Sequence, residues 1–241
     1  METWRLQKFL SRAGAASRRL GERWIREGRV KVNGEVVREL GFQVRPGVDR
    51  VEVEGERLEL PATVWTAALY KPRGVISTAR DPQGRPTVVD LVPSPMRLYP
   101  VGRLDRESEG LILLTGDGEL AELLLRPRYG IPKTYRVTLD REPREEDLRA
   151  MEEGIFLEGK RALAREIRRL GKGRVEMVLV QGMNRQIRRM WEARGYRVKR
   201  LVRTAIGPIG LGNLAPGQFR WLAEEDILRL KGEARGGHTL F

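Results

Sequence analysis

Cysteine is absent from the 241 residues, and histidine occurs once, as His238 near the C-terminus. The first absence removes disulfides, thiolate metal sites and thiol nucleophiles together. The second leaves no histidine cluster to bind a metal and no histidine pair for acid–base work. No apolar run is long enough to span a bilayer, and no apolar signal-peptide core stands near the start. The phosphate-cradling pattern Gly-x-x-x-x-Gly-Lys-Ser/Thr is missing, and Gly210-Leu211-Gly212 is too isolated for a dinucleotide or methyl-donor loop. Carboxylates, lysine, tyrosine, serine and threonine remain for chemistry. The expectation is a cytoplasmic protein that uses no metal and no cofactor.

What the chain has in excess is positive charge. Lys and Arg total 46 against 33 Asp and Glu, a net charge of +13. Such a surplus speaks of partners, and nucleic acid is the default polyanion. Arginine strongly outnumbers lysine, which suits bidentate phosphate contacts and stacking on bases. A surface rich in ion pairs would explain a high charged total but not the imbalance. A membrane surface is the rival partner, but the basic residues form no single amphipathic helix with a bulky apolar face.

The surplus is uneven. Residues 1–31 carry nine basic and three acidic side chains, whereas residues 32–60 carry four and seven. Leu6, Phe9, Leu10 and Ala13 fall at helical spacing up to Gly14. Ser17 then suits the N-cap of a second helix, with Leu20, Trp24 and Ile25 inward, Gly28 closing it, and Arg18, Arg19, Arg23 and Arg26 outward. Val30 to Val37 alternates about Asn33-Gly34, a strong hairpin signal, and Val51 and Val53 mark a third strand. This helix pair and hairpin, with Arg-Leu-Gln-Lys-Phe-Leu, Ala-Ser-Arg-Arg and Gly-Arg-Val-Lys-Val-Asn-Gly, resembles the small αL-type RNA-binding domain over residues 3–50. The resemblance implies RNA binding rather than catalysis, with Arg5, Lys8, Arg18 and Arg19 as RNA contacts.

Glu59 to Thr63, with Pro61, reads as a linker. Beyond it, strands are expected at Ala67–Tyr70, Lys133–Leu139, Arg174–Val180 and Gln218–Leu222. Helices are expected at Glu119–Leu125, Glu145–Glu153 and from Glu224, where an acidic first turn suits the helix dipole. Asp81 to Pro95 reads as loop. The alternation points to antiparallel or mixed pairing rather than a doubly wound sheet. The fold class is α+β: an RNA-binding domain over 1–60, a second domain over 65–235 built on a mixed, mainly antiparallel sheet with flanking helices, and a tail over 236–241.

Two stretches of the second domain stand out. Gly102-Arg103-Leu104-Asp105-Arg106-Glu107-Ser108-Glu109-Gly110 is a charged loop that feeds the apolar run Leu111–Leu114, a strand expected to be buried on both faces. On spacing alone Asp105 reads as a turn aspartate, and Glu107 and Glu109 as solvated glutamates. Asn184 to Arg203 holds eight basic residues and one acid, with Ile187, Met190, Trp191 and Ala193 as a helical apolar face ended by Gly195. A charge run is usually a solvated face; between two strands, its arginines could instead line a groove.

Gly102-Arg103-Leu104-Asp105 with Ser108-Glu109-Gly110-Leu111, then Lys133-Thr134-Tyr135, then Asn184-Arg185-Gln186-Ile187-Arg188-Arg189-Met190, resemble in order the motifs of RsuA-type pseudouridine synthases. Leu201-Val202-Arg203 with Ile206-Gly207-Pro208 adds the family's closing segment. The resemblance implies isomerisation of uridine in ribosomal RNA, a reaction that needs no cofactor. It implies Asp105 as the catalytic carboxylate, Arg188 as its guanidinium partner and Tyr135 as the ring that stacks on the base. Ile187 and Leu201 become the apolar wall and Arg103 a base-displacing or phosphate-holding group, unless Arg103 simply pairs with Glu107 or Glu109. Arg185, Arg189 and Arg203 join the RNA contacts. Met183 stands where close relatives often have lysine.

Ribosomal RNA or a pre-ribosomal particle is the expected partner, and the chain is expected to act as a monomer. Pro72–Ser77 and Tyr99–Gly102 lean towards the family's large-subunit members; a small-subunit target stays open. So does a non-catalytic assembly factor that keeps the fold. A methyltransferase is disfavoured by the missing methyl-donor loop.

Overall fold

The computed structural model describes residues 2–236; residues 237–241, with His238, lie outside the described residues. The chain divides into two compact units, the first 65 residues with Pro95–Arg97 and Gly116–Gly118, and the remainder.

The first unit runs β1 (Trp4–Arg5), α1 (Leu6–Arg12), α2 (Arg18–Arg26), β2 (Val30–Val32), β3 (Glu35–Val36), β4 (Gln43–Val44), β5 (Val51–Val53) and β6 (Glu56–Arg57). The inward face of α1 is Leu6, Phe9 and Leu10, all buried with Ile25 of α2 and Val30 of β2. Ser17 Oγ accepts the Leu20 N–H at 3.2 Å, the N-cap that its position called for. Asn33 and Gly34 both take positive φ, 53° and 89°, as a two-residue hairpin turn demands. The turn sets the register Val32↔Glu35, and β5 pairs with the other edge of β2.

The second unit is β7 (Thr66–Lys71), β8 (Tyr99–Val101), β9 (Glu109–Thr115), α3 (Gly118–Leu125), β10 (Lys133–Leu139), α4 (Glu145–Glu153), β11 (Ile155–Leu157), β12 (Lys160–Ala162), β13 (Glu166–Gly171), β14 (Arg174–Leu179), α5 (Gln186–Ala193), β15 (Val198–Ile206), β16 (Ile209–Gly210), β17 (Phe219–Trp221) and α6 (Glu224–Gly236). Its sheet runs β13-β14-β10-β15-β9-β7-β17, with β8 beside β9 and β16 beside β15. Among the described strands of this sheet, only β9 and β15 pair in parallel; the other pairings are antiparallel. The sheet is therefore mixed and mainly antiparallel, as the alternation implied.

All seven residues of β9 are buried, so the apolar run is the centre of the domain. Each of its large aliphatic side chains contributes roughly 1.5–3 kcal/mol on burial. Two apolar clusters share the sheet. One gathers Val137, Met177, Leu201 and the α5 residues Ile187, Met190 and Trp191; the other gathers Leu111, Leu113, Ile206 and the inner residues of α3 and α6. Trp191 is fully buried, its Nε1–H donates to Met177 Sδ at 3.2 Å, and Tyr196 meets it edge-on. Ala193, expected inward, is exposed. The strands β11, β12 and β13 were not expected at all.

Candidate active site

Asp105 lies in the loop between β8 and β9, and the loop is fastened at nearly every residue. The Ser77 hydroxyl donates to Leu104 O at 2.8 Å and accepts the Leu104 N–H at 3.1 Å. The Ser108 N–H closes a turn on Asp105 O at 3.0 Å, and Gly74 N–H reaches Arg106 O at 2.8 Å. Beneath lies Lys71, the last residue of β7 and 0% exposed. Its ammonium donates to Ser108 O at 2.7 Å, to Pro72 O at 3.0 Å and to Arg106 O at 3.5 Å. Burial pulls its pKa down to about 8, against the pull of Asp105, Glu107 and Glu109. A buried ammonium bonded to two carbonyls of the Asp105 loop, and anchored on Pro72 O beside it, holds that loop still.

The exit of the loop depends on one glycine. Gly110 has φ 107° and sits opposite Arg203 in the parallel β9–β15 pair. A Cβ there would lie 2.3 Å from Arg203 O, so only glycine lets the two strands meet. That meeting brings Arg203 beside the Asp105 loop.

Residues from β10 and β15 form the facing wall. Lys133 and Tyr135 are two apart on β10, and Leu201 and Arg203 are two apart on β15, so each pair shares a sheet face. Tyr135 and Arg203 are direct cross-strand partners, next to a register shift at Thr134/Tyr135, and the guanidinium carbon is 6.0 Å from the tyrosine ring centre. Together with the Asp105 loop and the Gln181–Ile187 segment they enclose a cleft of about 500 Å³. Its apolar lining comes from both clusters: Leu124, Ile131 and Ile206 from one, Leu179, Ile187 and Leu201 from the other. A volume of this order suits a small organic group. Asp105 is the sole carboxylate among the described lining residues, beside the cations Arg103, Arg126, Lys133, Arg185 and Arg203.

Arg188 on α5 is buried behind this wall. It donates to Val198 O at 3.1 Å and to Glu107 O at 3.4 Å, and its Nε–H has no partner among the described residues. Burial and the Arg185 cation disfavour its charge while Asp105 favours it, so Arg188 and Asp105 are electrostatically coupled. Its hydrogen bonds go to backbone carbonyls, one of them in the Asp105 loop. Arg185 caps α5 from a left-handed conformation, φ 49°, uncommon without glycine, and is exposed at the cleft. Gln186 holds this turn: its Oε1 accepts Met183 N–H and its Nε2 donates to Gln181 Oε1, both at 3.1 Å.

Asp105, Tyr135, Arg103, Ile187, Leu201, Arg185 and Arg203 thus come together in one cleft, with Arg188 just behind it. Arg189 does not join them; it pairs with Glu158 at 2.8 Å. Arg203, expected among the RNA contacts, is 3% exposed and donates through Nε to Leu111 O at 2.7 Å. Glu109 corrects a further expectation. It is 6% exposed rather than solvated, bonded to Arg200 at 2.8 Å and to the Tyr70 hydroxyl at 3.1 Å. Glu107 is the exposed one, and it pairs with Arg73 at 2.9 Å. Neither pairing involves Arg103. In the first unit Arg5, Arg18 and Arg19 are exposed, and Lys8 lies 4.5 Å from the ring centre of Trp4.

Lys71 and Ser77 went unnoticed in sequence. A lysine closing an apolar strand just before proline was the available signal for Lys71. Lys133 was seen only as part of a motif. Among the described residues no helix is long and apolar enough to cross a membrane, and no group of three His, Cys, Asp or Glu side chains could hold a metal ion.

Residues 66–193 match the family model described as RNA pseudouridylate synthase, and residues 4–49 match the S4 domain. Ribosomal large subunit pseudouridine synthase B of Bacillus subtilis (strain 168) is 45% identical over 98% of this chain and 99% of its own length. The dual-specificity RNA pseudouridine synthase RluF of Escherichia coli (strain K12) is 39% identical over 94% of this chain and 78% of its own. A crystal structure of a pseudouridylate synthase superposes with TM-score 0.69 at 31% identity, covering 94% of this chain and 99% of that one.

Proposed function

The chain belongs to the RNA pseudouridine synthases and carries an S4 RNA-binding domain in front of the catalytic one, and from that premise we propose that it isomerises uridine in large-subunit ribosomal RNA, with Asp105 as the nucleophile. The observation that carries the residue assignment is the lone carboxylate of the cleft, held on a loop that Ser77, Lys71 and Gly74 tie down. The large-subunit target is supported by the Pro72–Ser77 and Tyr99–Gly102 segments and by the name of the Bacillus subtilis relative.

A uridine must leave its stack to be reached. Its base lies against the Tyr135 ring, between the apolar side chains of Ile187 and Leu201. The Asp105 carboxylate acts at the anomeric carbon of ribose, much as a glycosidase carboxylate does. The bond from that carbon to the uracil nitrogen breaks as the carboxylate oxygen bonds to it, the base turns, and a ring carbon displaces the carboxylate to form a carbon–carbon bond. The proton on that ring carbon leaves, and the ring nitrogen freed from ribose takes one up. Nothing is gained or lost overall, so no cofactor is required. The chain acts as a monomer, with the exposed arginines of α2 supplying backbone contacts to RNA.

The test is incubation with unmodified ribosomal RNA and with immature particles, without added cofactor, followed by chemical derivatisation and primer extension. New pseudouridine in large-subunit RNA is expected, and none from Asp105→Asn. Product confined to small-subunit RNA would overturn the target. Conversion by Asp105→Asn would overturn the nucleophile.

A further inference from the structure

Four buried side-chain polar atoms among the described residues have no hydrogen-bond partner in the protein, and three of them surround the Asp105 loop: Ser108 Oγ, Arg188 Nε and Arg203 Nη2. An orphaned buried donor keeps its full desolvation penalty, and three in one place mark a site made to be completed by a ligand. Of the three, Arg203 combines a formal charge, 3% exposure and a place in the cleft lining. Its other donor, Nε–H, is fixed on Leu111 O at 2.7 Å, so the orphaned nitrogen is held by a rigid anchor.

A second cation stands with it. Lys133 lines the same cleft, two residues before Tyr135 on the same face of β10, and Nζ spends one donor on Ile131 O at 3.1 Å. Arg203 is the charge that acts on it. The other charged residues lining the cleft are Asp105, Arg103, Arg126 and Arg185. Two cations side by side in a partly dry wall repel one another, and they call for an electron-rich group between them.

Resting on the uridine-isomerase reading, we propose that Arg203 and Lys133 form an oxyanion-type site that binds a carbonyl oxygen of the uracil and stabilises the negative charge the base acquires as it leaves ribose. The geometry supplies the match. Arg203 is the cross-strand partner of Tyr135, its guanidinium carbon 6.0 Å from the ring centre. The guanidinium stands over that ring and lines the cleft, so a base entering the cleft beside Tyr135 meets Arg203. The stacking platform and the charge-stabilising donors thus come from one pair of strands, while Asp105 comes from the loop opposite. Breaking the glycosidic bond sends the electron pair onto the uracil ring, where it spreads to the carbonyl oxygens. Donors fixed there before the reaction need no rearrangement as the charge appears.

Lys133→Met tests this, compared with wild type, Lys133→Arg and Arg203→Lys under single-turnover conditions. Lys133→Met and Arg203→Lys are expected to slow the chemical step at saturating RNA by about a hundredfold, the usual scale for one lost oxyanion donor. RNA affinity should not change. Lys133 works in its protonated form, and burial, with Arg203 adding to it, holds its pKa near 8, so the subsaturating wild-type rate should fall as pH rises through about 8. Lys133→Arg, whose guanidinium stays charged, should keep its rate to higher pH; titration of the substrate itself is common to both and cancels. Wild-type speed in Lys133→Met would overturn the proposal. So would weaker RNA binding with an unchanged chemical step, the mark of a phosphate contact, or an identical alkaline limb in Lys133→Arg. An inactive wild type would bring down the isomerase reading itself, whereas an active wild type beside unimpaired variants would bring down only this one.

Discussion

On α2, Arg18, Arg19, Arg23 and Arg26 are exposed, and none of them meets a carboxylate among the described residues. From Asn184 to Arg203 the density of arginine is similar, but most of it is spent inside the protein. Arg188 and Arg203 are buried on backbone carbonyls, Arg194 is held by Asp147, Arg200 by Glu109 and Arg189 by Glu158. Among the described residues, only Arg185, Arg197 and Lys199 of that block are left exposed without an ion pair. The difference lies in what surrounds each segment. α2 is an outer helix of a small unit, whereas the second block threads through the middle of a large sheet. A guanidinium buried there must find acceptors, since an unpaired buried charge is prohibitive. One segment presents charge to a polyanion; the other uses charge as internal framework and site chemistry.

That contrast breaks first, and most visibly, at Arg188. Arg188→Lys keeps the charge but loses the planar fork that spans Val198 O and Glu107 O. The expected result is a chemical rate lower by roughly a hundred- to a thousandfold, with RNA affinity and its salt dependence unchanged. A loss of affinity instead, measured by filter binding across salt, would make Arg188 a phosphate contact like those expected on α2.

Gly110→Ala should come next. It forces a Cβ against the Arg203 backbone at a residue with φ 107°, so strain and overpacking together should cost on the order of 3 kcal/mol. A lowered denaturation midpoint would show it. An unchanged midpoint would mean that β9 and β15 part without cost, and that Arg203 is not anchored as described.

How far the sequence could be read follows the same divide. Local patterns were legible: the Ser17 cap, the Asn33-Gly34 turn and Glu145–Glu153 as a helix occur where the residues require them. Asp105, Tyr135, Ile187 and Leu201, far apart in sequence, were brought together by the resemblance and stand in one cleft. What failed was whatever depends on a distant partner. Glu109 looks like a solvated loop residue because Arg200, which draws it inside, is 91 positions away. Lys71 looks like an ordinary surface lysine because two of the three carbonyls it holds, those of Arg106 and Ser108, belong to another segment. β13, Glu-Ile-Arg-Arg-Leu-Gly, is an edge strand with half its residues charged, and only pairing with β14 makes it extended.

A third effect should be smaller and should appear only in binding. Changing Arg18 and Arg19 together to Ala removes two exposed cations and should weaken RNA affinity on the order of tenfold. The slope of log affinity against log salt should flatten by roughly 1.5. Single-turnover rate at saturating RNA should hold. An unchanged slope would move the binding face off α2 and end the contrast with the second block.

The smallest effect tests whether Arg200 belongs to the framework. Glu109→Gln keeps shape and hydrogen-bonding capacity but removes the charge opposite Arg200. The Arg200 side chain is 55% exposed, so screening limits the loss at neutral pH to about 1 kcal/mol. The hydrogen bond from Arg200, ahead of the opposing effect of burial, holds the Glu109 pKa below its ordinary value. A depressed carboxylate stabilises the fold above its unfolded pKa and loses that contribution as pH falls through the folded one. The stability gap between wild type and Glu109→Gln should therefore be full at neutral pH and close as acid protonates Glu109. Equilibrium denaturation over that range measures it. A gap that stays constant into acid would mean that shape rather than charge holds Arg200, and that this arginine is framework by packing alone.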